Sequence, residues 1–207
     1  MGQKIAVIDY GMGNLRSVSK AVEHVCAADD EVRVTDDPAW IASADRVVFP
    51  GQGAARDCMA AIGQHQLNQA IRQAAASKPF LGICMGLQVL LSHSEENGGT
   101  DLLGLFPGEV RRFPASELKV PHMGWNRVQP SREHPLWAGI EPGSRFYFVH
   151  SYHVVPQDSG LIAATTDYGI DFTSAIAKGS LFAVQFHPEK SADNGLKLLE
   201  NFVRWQV

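Results

Sequence analysis

The chain has 207 residues, enough for one sizeable hydrophobic core and short of two ordinary domains, so residues 1–207 are expected to form a single domain. A hydrophobic fraction of 45% suits a soluble fold, whereas 19% charged residues falls below the roughly 25% usual for such domains, as expected where part of the surface is covered. Eighteen Lys plus Arg against 22 Asp plus Glu leave a formal charge of -4 with no basic block, which removes the electrostatic footprint of a nucleic-acid partner.

Three cysteines, Cys26, Cys58 and Cys84, cannot all pair with one another and none forms a CxxC motif, which argues against a disulfide framework or a thiolate zinc knuckle. The first apolar run, Ile5 to Ile8, ends at Asp9 and is too short for a secretory signal. No stretch approaches the roughly 18 apolar residues of a membrane span. A cytoplasmic, reducing setting is expected, in which each thiol is free for packing or chemistry.

In chain order, Lys4 to Asp9 is a buried-strand run, Gly11-Met12-Gly13 a turn, and Leu15, Val18, Val22, Val25 and Cys26 recur at helical spacing. Glu31 to Thr35 and Arg46 to Phe49 are further strands, the latter broken by Pro50-Gly51-Gln52-Gly53. Ala54 to Ala76 predicts helix interrupted near Gly63, and Pro79 to Ile83 a strand running through Cys84 into a helix carrying Leu87, Leu90 and Leu91. Strands separated by helices call for right-handed crossovers and a mostly parallel sheet covered on both faces, an α/β fold.

After the loop Glu95 to Gly99 the texture becomes β-rich. Gly104 to Phe113, Leu118 to Val128, Phe146 to Val155, Leu161 to Thr166, Asp171 to Ala177 and Leu181 to Phe186 are strand candidates joined by Pro- and Gly-containing turns. Ser191 is placed to cap a last helix whose apolar face is Leu196, Leu199, Phe202 and Val203. With no linker or repeat between them, the two halves are expected to share a core.

Gly82-Ile83-Cys84-Met85-Gly86 is a GxSxG arrangement with Cys in place of Ser, set between a predicted strand and a predicted helix. Small residues flank the nucleophile of such an elbow because its backbone is crowded, and the helix N-terminus favours a thiolate there. Gln185-Phe186-His187-Pro188-Glu189 follows another predicted strand. In an extended segment His187 and Glu189 face one side, so the carboxylate can orient the imidazole toward a thiol. The glycines of Pro50 to Gly53 let backbone N–H groups turn inward, near Gln52, to form an oxyanion hole with the N–H of Met85.

Other features carry less. GMGNLR and GQGAAR have Arg where a dinucleotide fingerprint needs its third glycine, so no nucleotide cofactor is expected. His122, His150, His153 and His187 lack a metal-site spacing, and in one strand His150 and His153 would face opposite sides, so structural or lining roles are expected and no metal. Trp125 and Tyr147 are core aromatics by default and a binding surface by alternative.

GICMGLQ, FHPEKS and PGQGA, in that separated arrangement, resemble the class I, or triad, glutamine amidotransferases, and the likeness runs through nearly the whole chain. Ile8 to Val18, Pro50 to Met59, Val120 to Asn126 and Phe146 to Val154 are similar to the branch of that family that serves imidazole glycerol phosphate synthases in histidine biosynthesis. The resemblance implies a flavodoxin-like fold with an added antiparallel part. It implies glutamine bound beside Cys84 by Gln88 and by backbone around Gly53, Ser151 and Tyr152. It also implies a separate (β/α)₈ cyclase subunit that receives the ammonia, in a heterodimer whose interface lies near Trp125, Tyr147 and Lys190. Gln52 stands where relatives often carry Val; the backbone supplies the chemistry there. An amidotransferase subunit of anthranilate or aminodeoxychorismate synthesis remains open beside this reading, as does a stand-alone cysteine hydrolase on the same scaffold.

Overall fold

The computed structural model describes residues 2–115 and 117–207. Strand and helix alternate at first: β1 (Lys4–Ile8), α1 (Leu15–Val25), β2 (Glu31–Thr35), α2 (Pro38–Ser43), β3 (Arg46–Gly51), α3 (Ala55–Gln64), α4 (Asn68–Ser77), β4 (Phe80–Cys84) and the single turn α5 (Met85–Gln88). Strands then dominate: β5 (His93–Ser94), β6 (Thr100–Asp101), β7 (Gly108–Arg112), β8 (His122–Arg127), β9 (Gln129–Pro130), β10 (Arg145–His150) and β11 (Tyr152–Pro156). The chain ends with β12 (Ile162–Asp167), β13 (Asp171–Lys178), β14 (Leu181–Val184) and α6 (Ala192–Arg204).

β2, β1, β3, β4 and β14 run parallel in that spatial order, and β13, β11 and β7 continue the same sheet antiparallel. β14 comes from the β-rich half yet lies beside β4, with Ala183 opposite Gly82. The two halves are therefore stitched into one sheet. β8 and β10 form a separate antiparallel ribbon.

Alternation along β1 explains why the sheet is covered on both sides. Ile5 and Val7 join a core with Val18 and Val22 of α1 and Leu198, Leu199 and Phe202 of α6, whereas Ala6 and Ile8 join a second with Ile41, Ile62 and Ile71 from α2, α3 and α4. Each such aliphatic or aromatic side chain, buried fully, contributes about 1.5–3 kcal/mol.

Several expectations need correcting. β3 continues through Pro50 and Gly51 because both pair with β4, opposite Ile83 and Cys84. The expected helix after Cys84 is one turn long, and Leu90 and Leu91 are buried just beyond it. Phe146 to Val155 is two strands in different sheets: the side chain of His150 turns back to the Tyr152 carbonyl, 2.8 Å away, closing a bend at Ser151. Cys26 is not on the helical face; it follows α1 in extended backbone. In α6 the buried face includes Leu198, and Leu196 is only half-buried. Ser191 occupies the N-cap position without capping, because its Oγ donates to the His187 carbonyl at 2.6 Å and accepts from Tyr147 N–H at 2.9 Å. The short α2 is an element that the apolar periodicity does not mark, although Asp37 accepts from Ala39 N–H at 2.9 Å and Pro38 opens the helix.

At Gly86 the close approach of β3 and α5 demands glycine: a Cβ there would overlap the Phe49 carbonyl oxygen. Gly86→Ala is expected to destabilise the fold by about 3 kcal/mol, the upper part of the overpacking range, and urea unfolding measures it. A midpoint equal to that of the unsubstituted protein would contradict this packing account.

Candidate active site

Cys84 ends β4 with φ 57° and ψ -110°, a left-handed conformation that side chains rarely adopt. Neighbours hold it there. A Cβ on Gly82 would come within 2.7 Å of the Gly86 carbonyl oxygen, and one on Gly86 is excluded by Phe49, so only this glycine pair lets chain crowd so tightly around the sulfur. The turn lifts Cys84 to the C-terminal edge of the parallel sheet, where ligands of open α/β sheets bind.

The neighbouring parallel strand, β14, delivers the second group. His187 lies three residues beyond its end, and His187 Nδ1 is 2.8 Å from Glu189 Oε1 with both side chains at least 97% buried. Pairing in an extended segment was the expectation; instead Pro188–Lys190 is a 3₁₀ turn, and the turn folds the carboxylate back onto the ring. Burial disfavours a charged imidazole, yet the negative charge of Cys84 and the hydrogen bond and charge of Glu189 outweigh it, raising the His187 pKa to about 10. Among the described residues, His187 Nε2 has no hydrogen-bond partner, so Nε2 remains available.

Cys84, Met85 and His187 border one cavity of about 390 Å³. Gln52 and Gly53 form one wall, and Gln88, Ser151 and Tyr152 another. All the residues expected to catalyse or to bind glutamine, save the carboxylate Glu189 behind the imidazole, therefore surround a single space. Gly53 has φ 94°, and the Gln52 carbonyl accepts from the Cys58 thiol at 3.2 Å. Cys58, expected only to pack, is buried and also fastens the turn that carries Gln52. Gln88 spends its amide on the Tyr152 carbonyl and on Gln185 Oε1, each at 3.0 Å, which leaves only its carbonyl oxygen for a ligand.

Glu96 is not singled out by the sequence. Glu96 borders the space, and its Oε2 accepts from Ala55 N–H at 2.7 Å at the start of α3. The Glu-Glu-Asn-Gly-Gly composition signals only a loop, so nothing local distinguishes Glu96 from Glu95. The lining and structural roles expected of the histidines divide among them: His150 borders the cavity, whereas His122 and His153 are buried behind it among Phe113, Phe148 and Phe172. The expectation of opposite faces on one strand fails for His150 and His153, because the bend at Ser151 puts them in different sheets.

Trp125 and Tyr147 face each other across the β8–β10 ribbon, ring centroids 6.2 Å apart, and Lys190 Nζ lies 5.9 Å over the Tyr147 ring. The default of core packing is wrong for Trp125, which is 50% exposed beside Met123 at 63%. Lys190 also borders the cavity, so this aromatic patch adjoins the site.

Residues 6–205 match the family described as glutamine amidotransferase class-I. The chain is 61% identical to the imidazole glycerol phosphate synthase subunit HisH of Thiobacillus denitrificans, over 99% of this chain and 92% of that one. It is 58% identical to the same subunit of Aromatoleum aromaticum, over 97% and 98% of the respective chains. Among solved structures, PurLQS from Thermotoga maritima superposes with a TM-score of 0.76 at 18% identity, covering 99% of both chains. A glutamine amidotransferase from Thermotoga maritima gives 0.63 at 18%, over 94% of this chain and 79% of that one. At such identity these two speak for the fold alone. No helix among the described residues is long and apolar enough to cross a membrane. With a family match over residues 6–205 and identities of 61% and 58% to HisH subunits over nearly its whole length, the chain belongs to the class-I glutamine amidotransferase family, in its imidazole glycerol phosphate synthase HisH branch.

Proposed function

We propose that this chain is one cytoplasmic glutamine amidotransferase domain that hydrolyses L-glutamine to glutamate and ammonia, acting as the glutaminase subunit of imidazole glycerol phosphate synthase. The observation that carries the reading is the shared cavity: Cys84 on its strained elbow and the imidazole oriented by Glu189 border the same 390 Å³. The Cys84 sulfur attacks the side-chain carbonyl of glutamine, and backbone N–H groups of Gln52 and Met85 receive the oxyanion, each such donor worth about 3 kcal/mol of barrier. His187 gives its proton to the departing nitrogen as the C–N bond breaks, and ammonia leaves. His187, held by Glu189, then takes a proton from water, which attacks the γ-glutamyl thioester; glutamate departs and the Cys84 thiolate is restored beside the protonated ring.

The amino-acid end of glutamine lies against Gly53, Ser151 and Tyr152, with the carbonyl oxygen of Gln88 and the carboxylate of Glu96 as acceptors for its ammonium group. No cofactor or metal is required by these steps. Ammonia released into water is protonated and lost as a nucleophile, so the product needs a receiver. That receiver is a (β/α)₈ cyclase subunit that docks over Trp125, Tyr147 and Lys190 and makes imidazole glycerol phosphate and aminoimidazole carboxamide ribotide for histidine biosynthesis.

Docking acts on the oxyanion turn, whose Gln52 N–H must point into the cavity for the first step. Glutamate release is expected to rise at least about tenfold when the cyclase and its ribotide ligand are added, the effect of gaining a large part of one oxyanion donor. The measurement is a coupled glutamate assay on the chain alone, with cyclase, and with cyclase plus ligand. Equal rates in all three would remove the regulatory part of the reading, and no glutamate in any would remove the glutaminase itself.

A further inference from the structure

Behind the cavity lies a run of buried polar side chains that the triad does not use. Gln185, fully buried just after β14, has its Nε2 3.7 Å from Cys84 Sγ and its Oε1 3.0 Å from Gln88 Nε2. The second amide proton of Gln88 goes to the Tyr152 carbonyl, which His150 Nδ1 also reaches at 2.8 Å. His150 Nε2 lies 3.0 Å from His122 Nδ1, and His122 Nε2 lies 3.3 Å from Asn126 Nδ2 on the ribbon that carries Trp125.

Every donor in this run is determined, and two arms meet at the Tyr152 carbonyl, which accepts from both His150 and Gln88. A carbonyl only accepts, so the Nδ1 of His150 carries its proton, and the Nε2 of that neutral ring accepts from His122. The Nε2 of His122 then accepts from the Asn126 amide, whose orientation is fixed by Nδ2 donating to the Asp167 carbonyl at 2.8 Å and Oδ1 accepting from Arg127 N–H at 2.7 Å. Burial lowers the pKa of His122 to about 4 and of His150 to about 3, so both rings stay neutral. At the other end, flipping the amide of Gln185 would set N–H against the N–H of Gln88 and an oxygen against sulfur. The Gln185 donor therefore faces Cys84. Because α5 is a single turn, it supplies the sulfur with little more than its own first N–H groups, and a side-chain donor has room to matter.

We propose that Gln185 is a positioning residue for the nucleophile: its amide donates to the Cys84 sulfur, aims it and favours its thiolate form, and Gln88, oriented by the Tyr152 carbonyl, fixes the amide's direction. The proposal rests on Cys84 being the nucleophile. His187, Tyr10 and Cys58 are coupled electrostatically to Cys84, and Glu96, His150, Tyr152 and Lys190 border the same cavity; substitution of Gln185 leaves all of them in place.

Alkylation of Cys84 by iodoacetamide, followed across pH by mass spectrometry of its peptide, reads the thiolate fraction without glutamine. With Gln185→Met the alkylation midpoint is expected to rise by about one pH unit, and kcat of the complex with its partner to fall about tenfold at little-changed KM, the worth of one hydrogen bond to a charged group. Gln185→Glu keeps an acceptor for Gln88 while removing the donor, so it reports where the methionine variant does not fold; its midpoint rises further because a carboxylate faces the sulfur. A packing role alone lowers stability and leaves the midpoint in place, and an unchanged midpoint in either folded variant overturns the proposal. If the unsubstituted complex fails to hydrolyse glutamine, the glutaminase reading fails instead, and the alkylation midpoint still judges Gln185.

Discussion

Cys84→Ala is expected to lower kcat for glutamine hydrolysis by at least about four orders of magnitude while the protein still folds, since removal of a nucleophile leaves only binding and oxyanion groups to act on water. Alanine keeps the Cβ at φ 57°, so the backbone strain is unchanged. What the variant loses is the sulfur itself, and the Gln185 amide is left without that acceptor, a cost of about 1 kcal/mol. Cys84→Gly is the informative companion: it removes the same nucleophile and relieves the left-handed strain, so it is expected to be more stable than the alanine variant by about 1 kcal/mol. Urea unfolding and glutamate release together test both statements. Turnover near the unsubstituted rate by folded Cys84→Ala protein would remove the cysteine from the mechanism. The alanine variant also takes away the charge that raises the His187 pKa most, so the imidazole is expected to titrate below about 10 in it.

Local patterns carried the parts of this site that local sequence can carry. GICMG announces an elbow because glycines at both ends are a steric requirement of the turn, and Gly82 and Gly86 meet that requirement against each other and against Phe49. FHPE announces an imidazole with a carboxylate in reach, although the two meet through a 3₁₀ turn and not along a strand. Spatial neighbours from distant elements were another matter. Glu96 borders the cavity only because the fold brings the loop after β5 to the same space as α5, and no spacing in the sequence encodes that approach. The break at Ser151 escaped for a related reason: Phe146 to Val155 alternates well enough for one strand, and the bend is imposed by a side-chain bond from His150 to Tyr152. Trp125 illustrates the limit of composition, since a tryptophan between strand residues is a core residue until the ribbon is seen to be half-covered.

The same topology ties the exposed ribbon to the triad. The Tyr147 carbonyl accepts from His187 N–H at 2.9 Å, and Ser191 Oγ bridges Tyr147 N–H and the His187 carbonyl. A partner that shifts β10 through Tyr147 would thus pull directly on the backbone of His187. The low charged fraction of the whole chain is consistent with a face of this kind being covered.

Glu189→Gln is expected to lower kcat between about 100- and 10,000-fold, the range over which an oriented acid–base histidine contributes. The amide preserves shape but removes the charge that, with Cys84, holds His187 protonated against burial. Because burial alone lowers an imidazole pKa, that of His187 is expected to drop in the variant, and NMR titration of the ring measures it. Stability must follow with a definite sign. His187 has a folded-state pKa of about 10 against an ordinary 6.5, so its charged form stabilises the fold fully below pH 6.5 and that contribution is lost as pH rises through about 10. In Glu189→Gln the His187 contribution is smaller and disappears at lower pH, so unfolding curves of the two proteins are expected to differ most at and below pH 6.5 and to converge toward pH 10. A constant difference across that window would show that Glu189 acts through packing and not through the charge of His187.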